Sequence, residues 1–392
     1  MTLRFSLAVA LVGLLAVPVG AQSYADAVRA YAWADQQTAD SYTPSPAFSY
    51  NSSGGDITAT RSEEGRYAVT FADLGSIASA GNVQVTAYGS TASCVSNGWG
   101  STSGGLRVNV RCDDADGNPS DARYTVLFVT SADAAVPTMA YAWASQPENA
   151  SYTPSTAYSY NGAGGAITAT RSAAGTYQMQ FADLSMSNGN VQVTAYQSDA
   201  RCTVTGWAGP NINVRCYDPA GALVDSPYTV LFVGNAAATD DIGFAWANNQ
   251  TSDSYAPSPS YVVNANGDVT ATRTAAGTYR MTFDGLGGAS SGGNVMVSSY
   301  STVGVQCNVS SWGSSGTFGA NVRCYDSDGA LADARYTILV SWPARIGVTT
   351  EAAPEAAFAL AVAPNPAASA ATVRWQLDAP AEVRLGVYDA LG

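Results

Sequence analysis

Asp114-Ala115-Asp116-Gly117-Asn118, with Asp121 beyond it, has the oxygen spacing of a calcium-binding loop. Two related runs occur later, Asp326-Ser327-Asp328-Gly329 and Asp218-Pro219-Ala220-Gly221, and the second lacks the middle carboxylate. What all three share is Asp-x-x-Gly, which a type I turn followed by glycine also requires. A structural turn is therefore expected, with no metal or other cofactor and no calcium requirement for folding.

A second set could bind a ligand. Trp99, Trp207 and Trp312 each follow a Gly or Ser. An exposed indole there could stack on a sugar ring, whereas a buried one would pack beside a disulfide. The pairs Asn109/Arg111, Asn213/Arg215 and Asn321/Arg323 alternate along candidate strands and could add hydrogen bonds to that ligand, or form an ordinary solvated face. A third set is Arg61, Arg171 and Arg273, which by parity share a strand face with Ile57, Ile167 and Val269. Such arginines need partners, and Asp73, Asp183 and Asp284 recur nearby, so strand-end ion pairs closing the core are expected.

Missing residue types exclude much chemistry. The chain has no His, and all 17 basic residues are Arg, against 30 acidic ones, for a net charge of −13. Without His there is no Ser-His-Asp or Cys-His catalysis and no imidazole zinc site. Without Lys there is no Walker-type phosphate loop, Schiff base or Ser-Lys dyad. The acidic balance also argues against nucleic acid or an anionic membrane surface as partner.

The candidate residues recur because the chain repeats. Ala32-Trp33-Ala34 returns at Ala142–Ala144 and Ala245–Ala247, each followed by a Ser-Tyr-x-Pro-Ser phrase. Thr-Ala-Thr-Arg, Gly-x-Tyr, Gly-Asn-Val, Val-Arg-Cys and Tyr-Thr-[Val/Ile]-Leu then follow in the same order. The units run Tyr31–Val129, Tyr141–Val233 and Phe244–Val340, the size of small sandwich domains. Short joints at Thr130–Thr138 and Gly234–Ile242 predict a semi-rigid string.

Within a unit the hydrophobic period is two. Tyr67, Val69 and Phe71 alternate with Arg66, Ala68 and Thr70, and Val83, Val85 and Ala87 share a face. The segment Arg123–Val129 is apolar on both faces toward its end, as a well-covered strand would be. Seven or eight short strands per unit are predicted, in an all-β antiparallel sandwich or small barrel. Each unit owns one cysteine pair: Cys94 with Cys112, Cys202 with Cys216, Cys307 with Cys324. Intra-unit structural disulfides against the core are expected, each stabilising by about 3 kcal/mol in the chain-entropy treatment.

The N-terminus has the parts of an export signal over Met1–Ala21: Arg4, the apolar run Phe5–Val17, and small residues before Gln22. At the other end, after a linker over Ser341–Ala357, lie Pro364-Asn365-Pro366, the alternating Thr372–Leu377 strand, and Val387-Tyr388-Asp389-Ala390-Leu391-Gly392. Residues 358–392 resemble the opening of the type A sorting domain of the Por (type IX) secretion system. The resemblance implies a small β-sandwich that directs passage across an outer membrane and is usually removed afterwards, with the outer-membrane secretion machinery as partner. Family members continue into a further hairpin and strand, so a truncated domain is expected, able to cross the inner membrane but reaching the surface inefficiently. The three repeats also look similar to tandem repeats of uncharacterised secreted bacterial proteins.

Together these readings predict a non-catalytic secreted or cell-surface repeat protein with a structural, matrix or adhesion role and no membrane insertion after signal removal. The alternatives are a glycan-binding protein that uses the Trp, Asn and Arg faces, and, with least support, a secreted hydrolase.

Overall fold

A computed structural model describes residues 27–76, 80–131, 136–234, 242–286, 292–314 and 317–342, together with the backbone of 359–363 and 372–376. The export signal, residues 343–357 of the linker and most of the sorting-domain segment lie outside the described residues. The chain divides into two compact units, Met1–Ala344 and Arg345–Gly392.

The first repeat contributes β1 (Val28–Ala34), β2 (Ser41–Tyr42), β3 (Ser49–Asn51), β4 (Ile57–Glu63), β5 (Arg66–Phe71), β6 (Asn82–Tyr88), β7 (Ser93–Thr102), β8 (Gly105–Asp113) and β9 (Arg123–Thr130). Its inner sheet runs β3-β1-β9-β6 and its outer sheet β2-β4-β5-β8-β7, with antiparallel pairing throughout. This is a two-layer sandwich, which decides between sandwich and barrel. Alternation places Val69, Phe71, Val83, Val85, Leu106, Val108, Val126 and Phe128 between the sheets, beside Cys94–Cys112.

The second repeat follows the same plan with β10 (Met139–Ala144), β11 (Ser151–Tyr152), β12 (Ser159–Asn161), β13 (Ile167–Ala173), β14 (Thr176–Phe181), β15 (Gly189–Ala195), β16 (Arg201–Ala208), β17 (Asn211–Tyr217) and β18 (Tyr228–Gly234). The third has β19 (Ile242–Ala247), β20 (Ser254–Tyr255), β21 (Val262–Asn264), β22 (Val269–Ala275), β23 (Thr278–Asp284), β24 (Asn294–Tyr300), β25 (Gln306–Ser314), β26 (Thr317–Tyr325) and β27 (Arg335–Ser341). Cys202–Cys216 and Cys307–Cys324 bridge directly opposed residues of adjacent strands, as Cys94–Cys112 does.

The string predicted from the joints does not form. The three repeats instead join in a cycle, each meeting the other two. The outer sheet of repeat 3 continues into the inner sheet of repeat 1 by parallel pairing of Val309 with Tyr88. The outer sheet of repeat 2 continues into repeat 3 through Val204 and Tyr300, and that of repeat 1 meets repeat 2 at a Ser96–Tyr196 bridge. Each junction covers a sheet edge that a free sandwich would expose.

The physical reason lies on the second face of the inner sheets. Leu127, Val129, Leu231, Val233, Phe244, Met296 and Leu339 form a core shared by all three repeats, which is why the β9 segment is apolar on both faces. Around it the polar faces of β6, β15 and β24 meet in cyclic hydrogen bonds. Val85 N donates to Thr194 Oγ1 (3.0 Å), Val193 N to Ser298 Oγ (2.9 Å), and Val297 N to Thr86 Oγ1 (3.1 Å). Thr229 Oγ1 donates to Val83 O (2.7 Å), Thr337 Oγ1 to Val191 O (2.6 Å) and Thr125 Oγ1 to Val295 O (2.8 Å).

In the second unit the backbone shows β28 (Ala359–Ala363) paired antiparallel with β29 (Thr372–Gln376).

Candidate functional site

The three arginines on the core-facing parity do make ion pairs, but with other partners than expected. Arg61 grips Asp121 with two hydrogen bonds, Nε to Oδ1 (2.9 Å) and Nη2 to Oδ2 (2.7 Å). Arg171 holds Asp225 and Arg273 holds Asp333 in the same two-pronged way. Each Asp also accepts from a turn N–H (Gly65, Gly175, Gly277) and a tyrosine hydroxyl (Tyr67, Tyr177, Tyr279). The arginine beside it, aided by those donors against partial burial, holds Asp121 down to about 2 and Asp333 to about 2, with Asp225 lowered likewise. Asp73 and Asp183 instead occupy left-handed backbone after β5 and β14, at φ 61° and 64°, where repeat 3 has Gly285 at φ 70°. A short Asx side chain is among the few that tolerate that conformation. Asp284 stands one position earlier, so the nominal third member of that set is not equivalent.

The Asp-x-x-Gly runs are turns in all three repeats. Asp114 Oδ1 accepts from the N–H of Asp116 and Asn118, Asp326 Oδ1 from Asp328 and Ala330, and Asp218 Oδ1 from Ala222. The turns also gather: Gly117 lies against Pro219, Gly221 against Ser327, and Gly329 against Ala115. Beneath them Arg201, buried to 6 % exposure, donates to Ala115 O (2.8 Å). Burial draws its guanidinium's pKa down, offset by the nearby carboxylates of Asp114, Asp116, Asp199 and Asp218.

Trp99, Trp207 and Trp312 lie at the seams between repeats. Trp99 packs edge-to-face on Trp143, Tyr158 and Tyr196 of repeat 2. Trp207 packs on Trp246, Tyr261 and Tyr300 of repeat 3, and Trp312 on Trp33, Phe48 and Tyr88 of repeat 1. The Ala-Trp-Ala tryptophans are thus the receiving halves of these four-ring clusters, with centroids 4.9–6.1 Å apart. Sequence reasoning singled out Trp99, Trp207 and Trp312, which lie on β7, β16 and β25, but not their partners. The signal was present, since both sets recur once per repeat, but nothing in one repeat says that its ring packs against the next.

The Asn-x-Arg pairs fare differently from one another. Arg111 is held by Asp113 (Nε to Oδ2, 2.6 Å), Arg215 reaches Thr302 O across the seam (3.3 Å), and Arg323 is exposed. Asn213 joins a cavity with Trp207. A cleft of about 340 Å³ at the seam of repeats 2 and 3 is lined by Trp207, Trp246, Tyr261 and Tyr300 together with Gln178, Asn211 and Asn213. Asn321 instead donates to Ser311 Oγ (2.7 Å), and Asn109 accepts from Arg107 Nε (3.0 Å).

No family model matches this chain, and no curated protein is similar to it. The seams, the network between repeats and the cleft therefore stand on their own geometry. Among the described residues no three His, Cys, Asp or Glu side chains are grouped to hold a metal, and no helix is long and apolar enough to cross a membrane.

Proposed function

We propose that this is a non-catalytic, secreted or cell-surface protein whose three repeats act as one rigid body with a structural, matrix or adhesion role. The observation that carries the reading is that the repeated polar sets are spent internally. The Arg–Asp–Tyr network ties a turn to a strand end, the Asp-x-x-Gly runs make their own turns, and Trp99, Trp207 and Trp312 join repeats. Three intra-repeat disulfides suit an oxidising compartment outside the cytosol. The export signal and the sorting-domain resemblance supply the route, with the outer-membrane secretion machinery as partner.

The test is fractionation and protease shaving of whole cells making the full chain with an epitope in the exposed 102–104 turn. Oxidised protein outside the cytosol, whether in the periplasm, at the surface or in the medium, is expected. Retention in the cytosol with free thiols would overturn the proposal.

A further inference from the structure

The three seams share one plan but not one surface. At the seam of repeats 3 and 1, Arg280 lies over Gly319, so close that a Cβ added there would collide with the guanidinium, and donates to Asn321 Oδ1 (3.4 Å). Ser311 takes the other end of that amide. At the seam of repeats 2 and 3 the corresponding residues are Gln178, Asn211 and Gly206. Gln178 Nε2 donates to Asn213 Oδ1 (3.1 Å), which leaves Asn213 Nδ2 without an acceptor among the described residues. Gly206, at a β-bulge, brings no side chain: a Cβ there would sit 3.7 Å from Asn213 Nδ2 and 3.8 Å from Tyr300 Oη, touching nothing closer. A free amide donor and a phenol hydroxyl therefore flank open space above aromatic rings.

The lining decides the ligand class. Aromatic rings offer apolar contact to a partner's C–H groups, while amides and a phenol offer neutral hydrogen bonds. No charged side chain lines the cleft, so an anion finds no counter-charge there, and the Tyr300 ring already carries the Arg335 guanidinium 4.7 Å from its centroid, which disfavours a second cation. Its volume falls near the lower limit, about 300 Å³, of sites that hold small ligands. Polyhydroxylated rings with one apolar face match all of this. We propose that the cleft beside Trp207 binds a neutral saccharide, with Asn213 Nδ2 and the Tyr300 hydroxyl bonding its hydroxyl groups.

The experiment converts this seam into the closed one. The triple variant Gln178→Arg, Asn211→Gly, Gly206→Ser copies the residues that fill the seam of repeats 3 and 1, so it has a precedent for folding in the same molecule. Full-length parent and variant are titrated by calorimetry with cellobiose, maltose, lactose and chitobiose, with a sialylated lactose and a proline-rich peptide alongside. Circular dichroism and disulfide mapping check that both are folded. The parent is expected to bind at least one neutral disaccharide, and the folded variant to lose about tenfold or more in affinity, the cost of one or two hydrogen bonds and a filled cavity. Should the variant misfold, Gln178→Arg alone, at an exposed position, serves as the blocked form. No binding by the parent, preference for the sialylated sugar or the peptide, or equal binding by the blocked variant would each overturn the proposal.

Discussion

The Arg61–Asp121, Arg171–Asp225 and Arg273–Asp333 pairs are the charged contacts with the clearest consequence for pH. Asp121 and Asp333 titrate at about 2 in the fold, below the ordinary carboxyl value of about 4. A depressed folded pKa means that the unfolded chain takes up the proton first. The stabilisation is therefore complete above about pH 5 and is lost as pH falls from about 4 through about 2. Replacing all three with Asn keeps shape and removes the titrating group. The triple variant is expected to be less stable at neutral pH, with a visibly flatter stability profile between pH 5 and 2 in urea titrations followed by circular dichroism. An acid limb as steep as the parent's would assign the acid sensitivity to other groups. Residue chemistry also breaks the repeat pattern in the network between repeats: Asn294 is fully buried, and neither its side-chain O nor its N has a partner. Repeats 1 and 2 have Gln84 and Gln192 two positions further on, each donating to Asn82 or Asn190 Oδ1 at 2.7 Å, where repeat 3 has Met296. Met296→Gln is expected to complete the network and raise stability by about 1 kcal/mol. A lower melting temperature would mean that the lost methionine packing outweighs the gained bonds.

Among the elements, β6, β15 and β24 are the ones on which the assembly turns. One face of each packs two valines into its own sandwich, and the other carries Thr or Ser to a neighbour's backbone. The same logic governs the central strands β9, β18 and β27, whose Thr125, Thr229 and Thr337 donate across repeats. Valine is nearly isosteric with threonine but cannot donate, so Thr229→Val leaves Val83 O unpaired in a buried site. We expect a loss of about 1–3 kcal/mol in chemical denaturation, and a change smaller than measurement error would show that the cross-repeat bond adds nothing net. The outer strands β7 and β8 show the complementary device, a disulfide between directly opposed residues whose sulfurs face the core. Cys94→Ala with Cys112→Ala should cost about 3 kcal/mol in the chain-entropy treatment, checked by the shift in denaturation midpoint.

At the scale of the molecule, the closed arrangement makes each repeat dependent on the other two. The shared core draws side chains from all three, and each four-ring cluster is split between two of them. A repeat cut free would expose that apolar face, an aromatic half-cluster and a sheet edge. Scanning calorimetry of the full chain is therefore expected to show one transition for the three repeats, with calorimetric and van't Hoff enthalpies equal. Three separable transitions would indicate independently stable domains and return the molecule to the string predicted from its short joints.

The sequence alone determined what local physics and repetition can determine. Period-two alternation such as Tyr67-x-Val69-x-Phe71 specifies strands with one core face, because successive side chains point to opposite sides. One cysteine pair per repeat specifies the bridges, and Asp-x-x-Gly specifies the turns. The partner of Arg61 was not legible, since Asp121 is distant in sequence and comes close only when the β8–β9 connection folds over β4. Nor was it legible that the polar face of Asn82, Gln84 and Thr86 is buried, because alternation reads any polar face as solvated. Only the tertiary structure decided that this face meets two others, that Trp99, Trp207 and Trp312 join repeats, and that the seam of repeats 2 and 3 holds a cleft. Those outcomes depend on which surfaces of three nearly identical units meet, a contact between units that no pattern within one unit encodes.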